Sequence, residues 1–276
     1  MNKILCPVDF SEASLNAIEF AVEIGKKFHS SITLVHVFTE GDFNKIVGEA
    51  HIGHSFNEKL KMAHSKLQKL EEWINEDFDG IAECRHQVGT GELIDYLKTQ
   101  IKEEHFDLMV MGTTGISRVG NVFFGSNTED AIERVKLPIL CIPENASYKG
   151  FDKIVYASDF LTEDRMAIQK VIAFAELFNS DISVLHINSG GDDEEYEKFV
   201  RELKGFIEYK KIRFVNKDFK DEVGLGVEEF MQEENSDLLV VFKKDRNFLE
   251  SLFHRSLTKR LTFSADKPFF VMKLEK

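Results

Sequence analysis

DLMVMGTTGISRVGNVFFGSN, residues 107–127, passes from an apolar run into two groups of glycine. Leu108 to Met111 reads as a buried strand, with Gly112 and Gly115 at its carboxyl end. Nine residues separate these from Gly125-Ser126, behind which Asp130, Ala131, Ile132, Arg134 and Val135 recur at helical spacing. The pattern G-x-x-G-x9-G-S thus lies between a strand and a helix, the context in which a glycine loop reads as a phosphate cradle. Glycine lets the backbone take φ > 0 and approach a ligand closely, and a helix N-terminus leaves N–H groups unpaired toward whatever lies in front of it. The Ser126 hydroxyl, at or near the N-cap, is placed either to donate to a phosphate oxygen or to accept from the helix backbone. The loop has neither the Gly-Lys-Ser/Thr of a Walker A motif nor the tight G-x-G-x-x-G of a dinucleotide fold.

Outward from this loop the chain alternates strand and helix. KILCPV, residues 3–8, is a short apolar strand ending at Asp9, and Ser11, Ala13, Ile18, Ala21, Val22 and Ile24 follow at helical spacing. Ile32, Leu34, Val35 and Val37 make a second strand. A strand-helix-strand unit of this length runs its strands parallel and keeps its ligand site at their carboxyl ends. Pro7 and Asp9 are therefore expected at the same rim as Val37 and Gly112. Residues 39–54 read as a loop, and 56–77 as an amphipathic helix whose stripe includes Leu60, Leu67, Leu70 and Trp73. A third strand is predicted over 81–88. Gly89-Thr90-Gly91-Glu92 then opens a helix to about Lys102, with Leu93, Ile94, Leu97 and Ile101 facing inward. Strand 107–112, helix 125–135 and strand 138–143 bring the first half to five strands and four helices.

The pattern then restarts. KILCPVDFSE at 3–12 is echoed by KIVYASDFLTE at 153–163, and SITLVHV at 31–37 by DISVLHI at 181–187. Asp107, Ser126 and Pro138 fall on Asp237, Ser256 and Pro268 at a constant offset. Such repetition is evidence of architecture. It predicts two homologous domains, 1–145 and 151–276, joined by the polar stretch ENASYKG at 144–150.

Residues 107–127 resemble the nucleotide-binding loop of the universal stress protein family, whose ATP-binding members carry G-x-x-G-x9-G-S/T at this place. The resemblance covers nearly all of residues 1–145 and, more faintly, 151–276. It implies two tandem Rossmann-like, doubly wound α/β domains of the adenine nucleotide alpha hydrolase-like kind, each a five-stranded mainly parallel sheet with helices on both faces. It implies ATP as ligand, with Mg²⁺ held mainly by the phosphates. Asp9 would lie beside the adenosine and Val37 would meet adenine through its backbone, with Pro7 shaping the rim. Met111, Gly112, Gly115, Gly125, Ser126 and Asn127 would supply phosphate and ribose contacts, although Asn127 departs from the small or β-branched residue common there. In the family such domains pair through their last strands, so a tandem chain resembles a covalently linked dimer; a homodimer of chains is a further family-level expectation. The implied role is a nucleotide-dependent sensor or regulator in the stress response.

The two halves differ in chemistry. Gly112, Gly115 and Gly125 fall on Phe242, Asp245 and Arg255, and only the serine survives, as Ser256. Of 17 glycines, 12 lie in residues 1–150, so the loss of backbone freedom extends beyond the loop. A β-carbon at each position blocks close approach of phosphates, which predicts a degenerate second domain without ATP. Its cations Lys243, Lys244, Arg246, His254 and Arg255 read first as a solvated or interfacial run and second as an anion receiver.

Composition narrows the classes. A net charge of −13 opposes nucleic-acid binding, which needs clustered cations. No run of about 18 apolar residues suggests a membrane helix, and the amino terminus turns polar too soon for a signal peptide, so the expectation is a cytoplasmic protein. Cys6, Cys84 and Cys141 are widely spaced and fit neither a disulfide framework nor a zinc site, which predicts reduced, mostly buried thiols. His51, His54 and His64 invite a metal reading, but His51-x-x-His54 lies in a glycine-containing loop with no obvious third and fourth ligands, so no metal site is assigned. His36 and His186 recur at matching strand positions and read as satisfied core or rim residues. Arg118 is placed between the glycine groups, either to reach a phosphate or to face solvent. Asp9 has a second reading, a helix-capping Asp-Phe-Ser turn, which the retention of Asp159 in the second half supports. No catalytic residue is assigned. Two alternatives stand beside the sensor: a nucleotide-free module that binds an unknown protein partner, and a slow ATPase or autophosphorylating enzyme.

Overall fold

The most apolar short runs of the first half become its central strands. Ile4, Leu5 and Cys6 of β1 (Lys3–Pro7) and Leu108 to Met111 of β4 (Leu108–Gly112) are buried throughout, as strands covered on both faces must be. The computed structural model describes residues 1–38, 56–113, 126–159, 164–188, 190, 193–220, 223–243 and 267–273. The chain divides into two units, Met1–Glu144 and Asn145–Lys276.

In the first unit α1 (Glu12–Phe28) leads to β2 (Ser31–Phe38), α2 (Phe56–Asp77) to β3 (Glu83–Thr90), α3 (Leu93–Glu104) to β4, and α4 (Ser126–Arg134) to β5 (Ile139–Ile142). The strands run parallel in the order β3-β2-β1-β4-β5. The second unit has β6 (Lys153–Ala157), α5 (Asp164–Phe178), β7 (Asp181–Asn188), α6 (Asp193–Lys204), β8 (Ile212–Asp218), α7 (Val223–Glu233), β9 (Leu238–Lys243) and β10 (Phe269–Lys273). Its parallel order, β8-β7-β6-β9-β10, is the same winding. Each unit is thus a doubly wound, Rossmann-like sheet of five strands.

Helix α1 has clear reasons to start and stop where it does. Ser11 at the N-cap is extended (φ −72, ψ 160) and its side chain accepts from the Ser14 N–H, Glu12 lies in the first turn, and Lys26 and Lys27 lie in the last. His29 closes the helix in the left-handed region, its N–H bonded to the Gly25 carbonyl. Helix α2 spans the predicted residues, but its buried stripe is Ala63, Leu67 and Ile74. Trp73 is 40% exposed and packs edge-on to Phe78. The inward set on α3 is Ile94 and Leu97, while Leu93 and Ile101 are half-buried.

Strand β3 lies two residues later than predicted, because Gly89 and Thr90 extend it by pairing with Val37 and Phe38 instead of opening α3. A β-carbon on Gly89 would lie 2.3 Å from the half-buried Tyr96 ring, which would have to swing aside to admit it. The turn is made by Gly91, at φ +112, and Glu92 stands at the N-cap position of α3 without a side-chain capping bond. The expected loop 39–54 lies outside the described residues. No helix of the described residues is long and apolar enough to cross a membrane.

Candidate functional site

The winding of the first sheet reverses between β1 and β4, and in an open parallel sheet the ligand crevice lies outside the carboxyl ends at that point. Those ends are Pro7 and Gly112. The pairing of Ile4 with Leu108 and Leu5 with Met109, continued along the strands, sets Pro7 level with Met111. Pro7 also pairs with Val35, so Val37 lies two residues further along the same rim. Pro7, Val37 and Met111 are buried, whereas Asp9 and Gly112 are half-buried. The structure therefore brings together Pro7, Asp9, Val37, Met111 and Gly112. Ser126 and Asn127 are exposed in the first turn of α4. Gly115, Gly125, Arg118, His51 and His54 lie outside the described residues.

Asp9 is held in a capping turn. Its Oδ1 accepts from the Ser11 N–H at 2.9 Å and the Ser11 hydroxyl at 2.5 Å. These two bonds span Phe10, which takes a left-handed φ of 63° that non-glycine residues rarely adopt. The capping reading of Asp9 is thus realised, and the same turn aims the start of α1 at the crevice. Lys66 lies 5.0 Å from the Phe10 ring, adding a positive charge beside the mouth. The rim accordingly offers a helix N-terminus and one nearby cation to an anionic ligand.

Gly112 is needed for a reason other than direct ligand contact. A β-carbon there would lie 2.7 Å from the Ala13 carbonyl carbon and 2.8 Å from the Ser14 nitrogen. The glycine therefore lets the first turn of α1 settle against the end of β4, beside the crevice, with the Ser14 N–H capped by the Ser11 hydroxyl. Thr128, which the sequence reading passed over, ties the far side of the loop. It is buried, and its hydroxyl donates to the Gly112 carbonyl at 3.0 Å. Thr113, at the start of the loop, donates its N–H to the Ile142 carbonyl at 3.0 Å. The only signal for Thr128 in the sequence is a hydroxyl residue two positions after Ser126, too common to single out.

His36 donates from Nδ1 to the Val8 carbonyl at 2.7 Å, and His186 makes the matching bond to Ser158 at 3.2 Å. Both are satisfied rim residues. All three cysteines are free and buried. Burial pushes the Cys84 thiol up to about 12, helped by Glu71 and Glu83, and raises Cys6 further, so neither is a ready nucleophile. His64 Nδ1 lies 3.4 Å from His86 Nε2, and His86 Nδ1 bonds Glu71. Among the described residues no group of three or more His, Cys, Asp or Glu is arranged to hold a metal.

A family model described as the universal stress protein family matches residues 1–143, more than half of the 276-residue chain. The chain belongs to that family. Its relatives include a universal stress protein of Methanocaldococcus jannaschii, 28% identical over 147 residues, which are 51% of this chain and 81% of the relative. Another is a universal stress protein of Synechocystis, 27% identical over 151 residues, 51% of this chain and 96% of the relative. A solved universal stress protein from Archaeoglobus fulgidus aligns over 99% of this chain and 98% of its own, with a TM-score of 0.73 and 16% identity, which shows a shared fold across both units.

Within this universal stress protein the second crevice, between β6 and β9, is built differently. Phe242 takes the place of Gly112 and is 1% exposed. Tyr156, Ser158 and Asp164 replace Cys6, Val8 and Ser14. Their side chains form a buried cluster: the Tyr156 hydroxyl donates to Asp164 Oδ1 at 2.6 Å and the Ser158 hydroxyl to Oδ2 at 2.7 Å. Burial and the adjoining Asp164 carboxylate hold the Tyr156 hydroxyl well above its ordinary pKa, so it stays a donor. Asp245, Arg255 and Ser256 lie outside the described residues.

Proposed function

We propose that the first unit binds ATP at the β1/β4 crevice and that the protein acts as a nucleotide-dependent sensor or regulator in the stress response. The observation that carries this reading is the seating of the α1 N-terminus on Gly112, beside Asp9, Val37 and Met111. An ordered helix start at a switch point suits a phosphate chain, and the G-x-x-G-x9-G-S pattern begins at that same glycine. ATP is the ligand that the family resemblance implies. Mg²⁺ would enter with the phosphates, since the described rim groups no carboxylates able to hold it alone. The second unit, with Phe242 and a hydrogen-bonded cluster in the matching space, is proposed not to bind nucleotide.

Calorimetry with Mg-ATP on the intact chain and on Gly115→Asp tests this. The variant imports the residue at the matching place in the second half. The expected result is one site per chain with a dissociation constant on the order of micromolar, lost in the variant. Heat at two sites would contradict the silent second unit. No binding to the intact chain would overturn the nucleotide reading and leave the fold standing. Release of free phosphate in the same samples would add turnover to binding.

A further inference from the structure

We propose that the second unit carries a site for a small phosphorylated anion at the amino ends of β6, β7 and β8, the end of that unit's sheet opposite its own carboxyl-end crevice. A cavity of about 360 Å³ lies there, and its charged lining is Lys153, Asp181, Lys210, Lys211, Arg213 and Glu234. Its size is at the lower end of small-molecule pockets. Four cations face two carboxylates, in a protein whose net charge is −13.

The excess is not neutralised within the described residues. Arg213 and Glu234 pair at 2.5 Å, and the Arg213 Nε donates to the Ser183 hydroxyl at 2.8 Å. Lys153 and Lys211 instead donate to neutral backbone carbonyls, of Glu234 and Asn179, both at 2.9 Å. An ammonium has three donors, so each of these lysines keeps two for another acceptor while its position is set. Lys210 lies beside them, exposed. Mutually repelling charges held around an open cavity are the arrangement that an anion relieves.

The first unit supplies the control. Strand register pairs Ile32 with Cys84 and Ile182 with Ile212, so Glu83 matches Lys211 and Ala82 matches Lys210. At the helix end Glu104 matches Glu234 and Phe106 matches Ser236. The shared scaffold is kept, since Lys3 and Arg85 hold Glu104 as Lys153 and Arg213 hold Glu234. With Glu83 and Glu104 against Lys3 and Arg85, however, the first unit is balanced. Phe106, 5% exposed, stands at the position of Ser236, which lines the cavity in the second unit. Of the replacements around the cavity, Phe106 to Ser236 removes a ring, and Ala82 to Lys210 and Glu83 to Lys211 make the lining more positive by three charges. Against these stands one negative charge added by Ser31 to Asp181, which leaves an excess of two positive charges. The ligand class that fits is a compact anion of charge −2 or more, as on a phosphate or pyrophosphate group.

This proposal stands apart from the nucleotide reading, and its test separates them. The full chain is titrated with inorganic pyrophosphate at low salt, alongside Lys210→Ser/Lys211→Ser, Ser236→Phe and Gly115→Asp. The expected result is one binding event, weakened tenfold or more by the double lysine variant and by Ser236→Phe, and unchanged by Gly115→Asp. The lysine variant changes side chains at the cavity mouth and keeps the packed core, so its fold is retained; matching thermal melts check that. Three outcomes overturn the proposal: no heat from the intact chain, heat indifferent to both cavity variants, or heat lost in Gly115→Asp, which would assign the anion to the nucleotide loop.

Discussion

At the start of β1, Asp107 accepts from the backbone N–H groups of Asn2 and Lys3, at 2.5 and 3.1 Å; at the start of β6, Asp237 accepts from that of Lys153 at 2.9 Å. Lys3 and Lys153 both donate to the carbonyl of the matching glutamate, Glu104 or Glu234. Arg85 and Arg213 both donate from Nε to a hydroxyl on the neighbouring strand, Thr33 or Ser183. At the carboxyl ends the correspondence breaks down. The histidine bonds of His36 and His186 persist there, because they tie β2 and β7 to the chain leaving β1 and β6. Around them Gly112 becomes Phe242, and Cys6, Val8 and Ser14 become Tyr156, Ser158 and Asp164. The bonds that align the strands recur in both units, while the crevice has been rebuilt in one of them. The strand scaffold is common to both units, and the crevice lining is not.

The sharpest way to break the comparison is to exchange residues at the Gly112/Phe242 position. Phe242→Gly removes a buried ring and adds backbone freedom, which costs about 4 kcal/mol or more. Gly112→Ala drives a β-carbon into the α1 backbone and costs about 2–3 kcal/mol, because backbone cannot turn aside as a flexible side chain does. The single tryptophan, Trp73, lies in the first unit, so its fluorescence follows that unit while far-ultraviolet circular dichroism follows both. Gly112→Ala is expected to lower the fluorescence midpoint in urea. Phe242→Gly is expected to leave it in place and to split the dichroism transition. If Gly112→Ala left the midpoint unchanged, α1 would not be seated on that glycine.

Much of this architecture was legible in the sequence, and the reasons are physical. Apolar runs such as Leu108 to Met111 admit few alternatives to a buried strand, and α2 spans its predicted residues because its apolar periodicity is sustained. The burial of each side chain was less legible. Trp73 has the spacing of a core residue, yet Ala63 and Ile74 line the inner face, since the helix turns only one stripe of about 100° toward the sheet. The rim residues Pro7, Asp9, Val37, Met111 and Gly112 could be placed together from topology alone. The role of Gly112 as a helix seat could not, because the partner backbone, Ala13 and Ser14, is about a hundred residues away in the chain. The Tyr156–Ser158–Asp164 cluster escaped for a different reason: its members are six and eight residues apart, but each is ordinary alone, and nothing in their spacing says that the turn into α5 brings them within 2.7 Å.

That cluster gives the next test. Asp164→Ser imports the residue of the first unit and leaves the buried Tyr156 and Ser158 hydroxyls without their acceptor, at a cost of about 2 kcal/mol. Tyr156→Phe/Asp164→Ser is expected to cost less than the sum of its single changes by about 1 kcal/mol, since the orphaned hydroxyl is removed with its partner. Additive effects would mean that the two residues are neighbours without an energetic link, and that the second crevice is filled by volume alone.

The smallest effect is expected where the two units are most alike. Asp107→Ala and Asp237→Ala each remove a carboxylate that accepts from the backbone at the start of a central strand. Both sites are at the surface, so water replaces the lost acceptor and the cost is about 1 kcal/mol in each unit. Asp107 takes two N–H groups and Asp237 one, which sets the order of the two losses if they differ at all. Near-equal losses would support a common structural duty at the amino ends. A loss several times larger in one unit would show that the repeated bond is not doing the same job in both, and the likeness at this end would then be one of sequence rather than of energy.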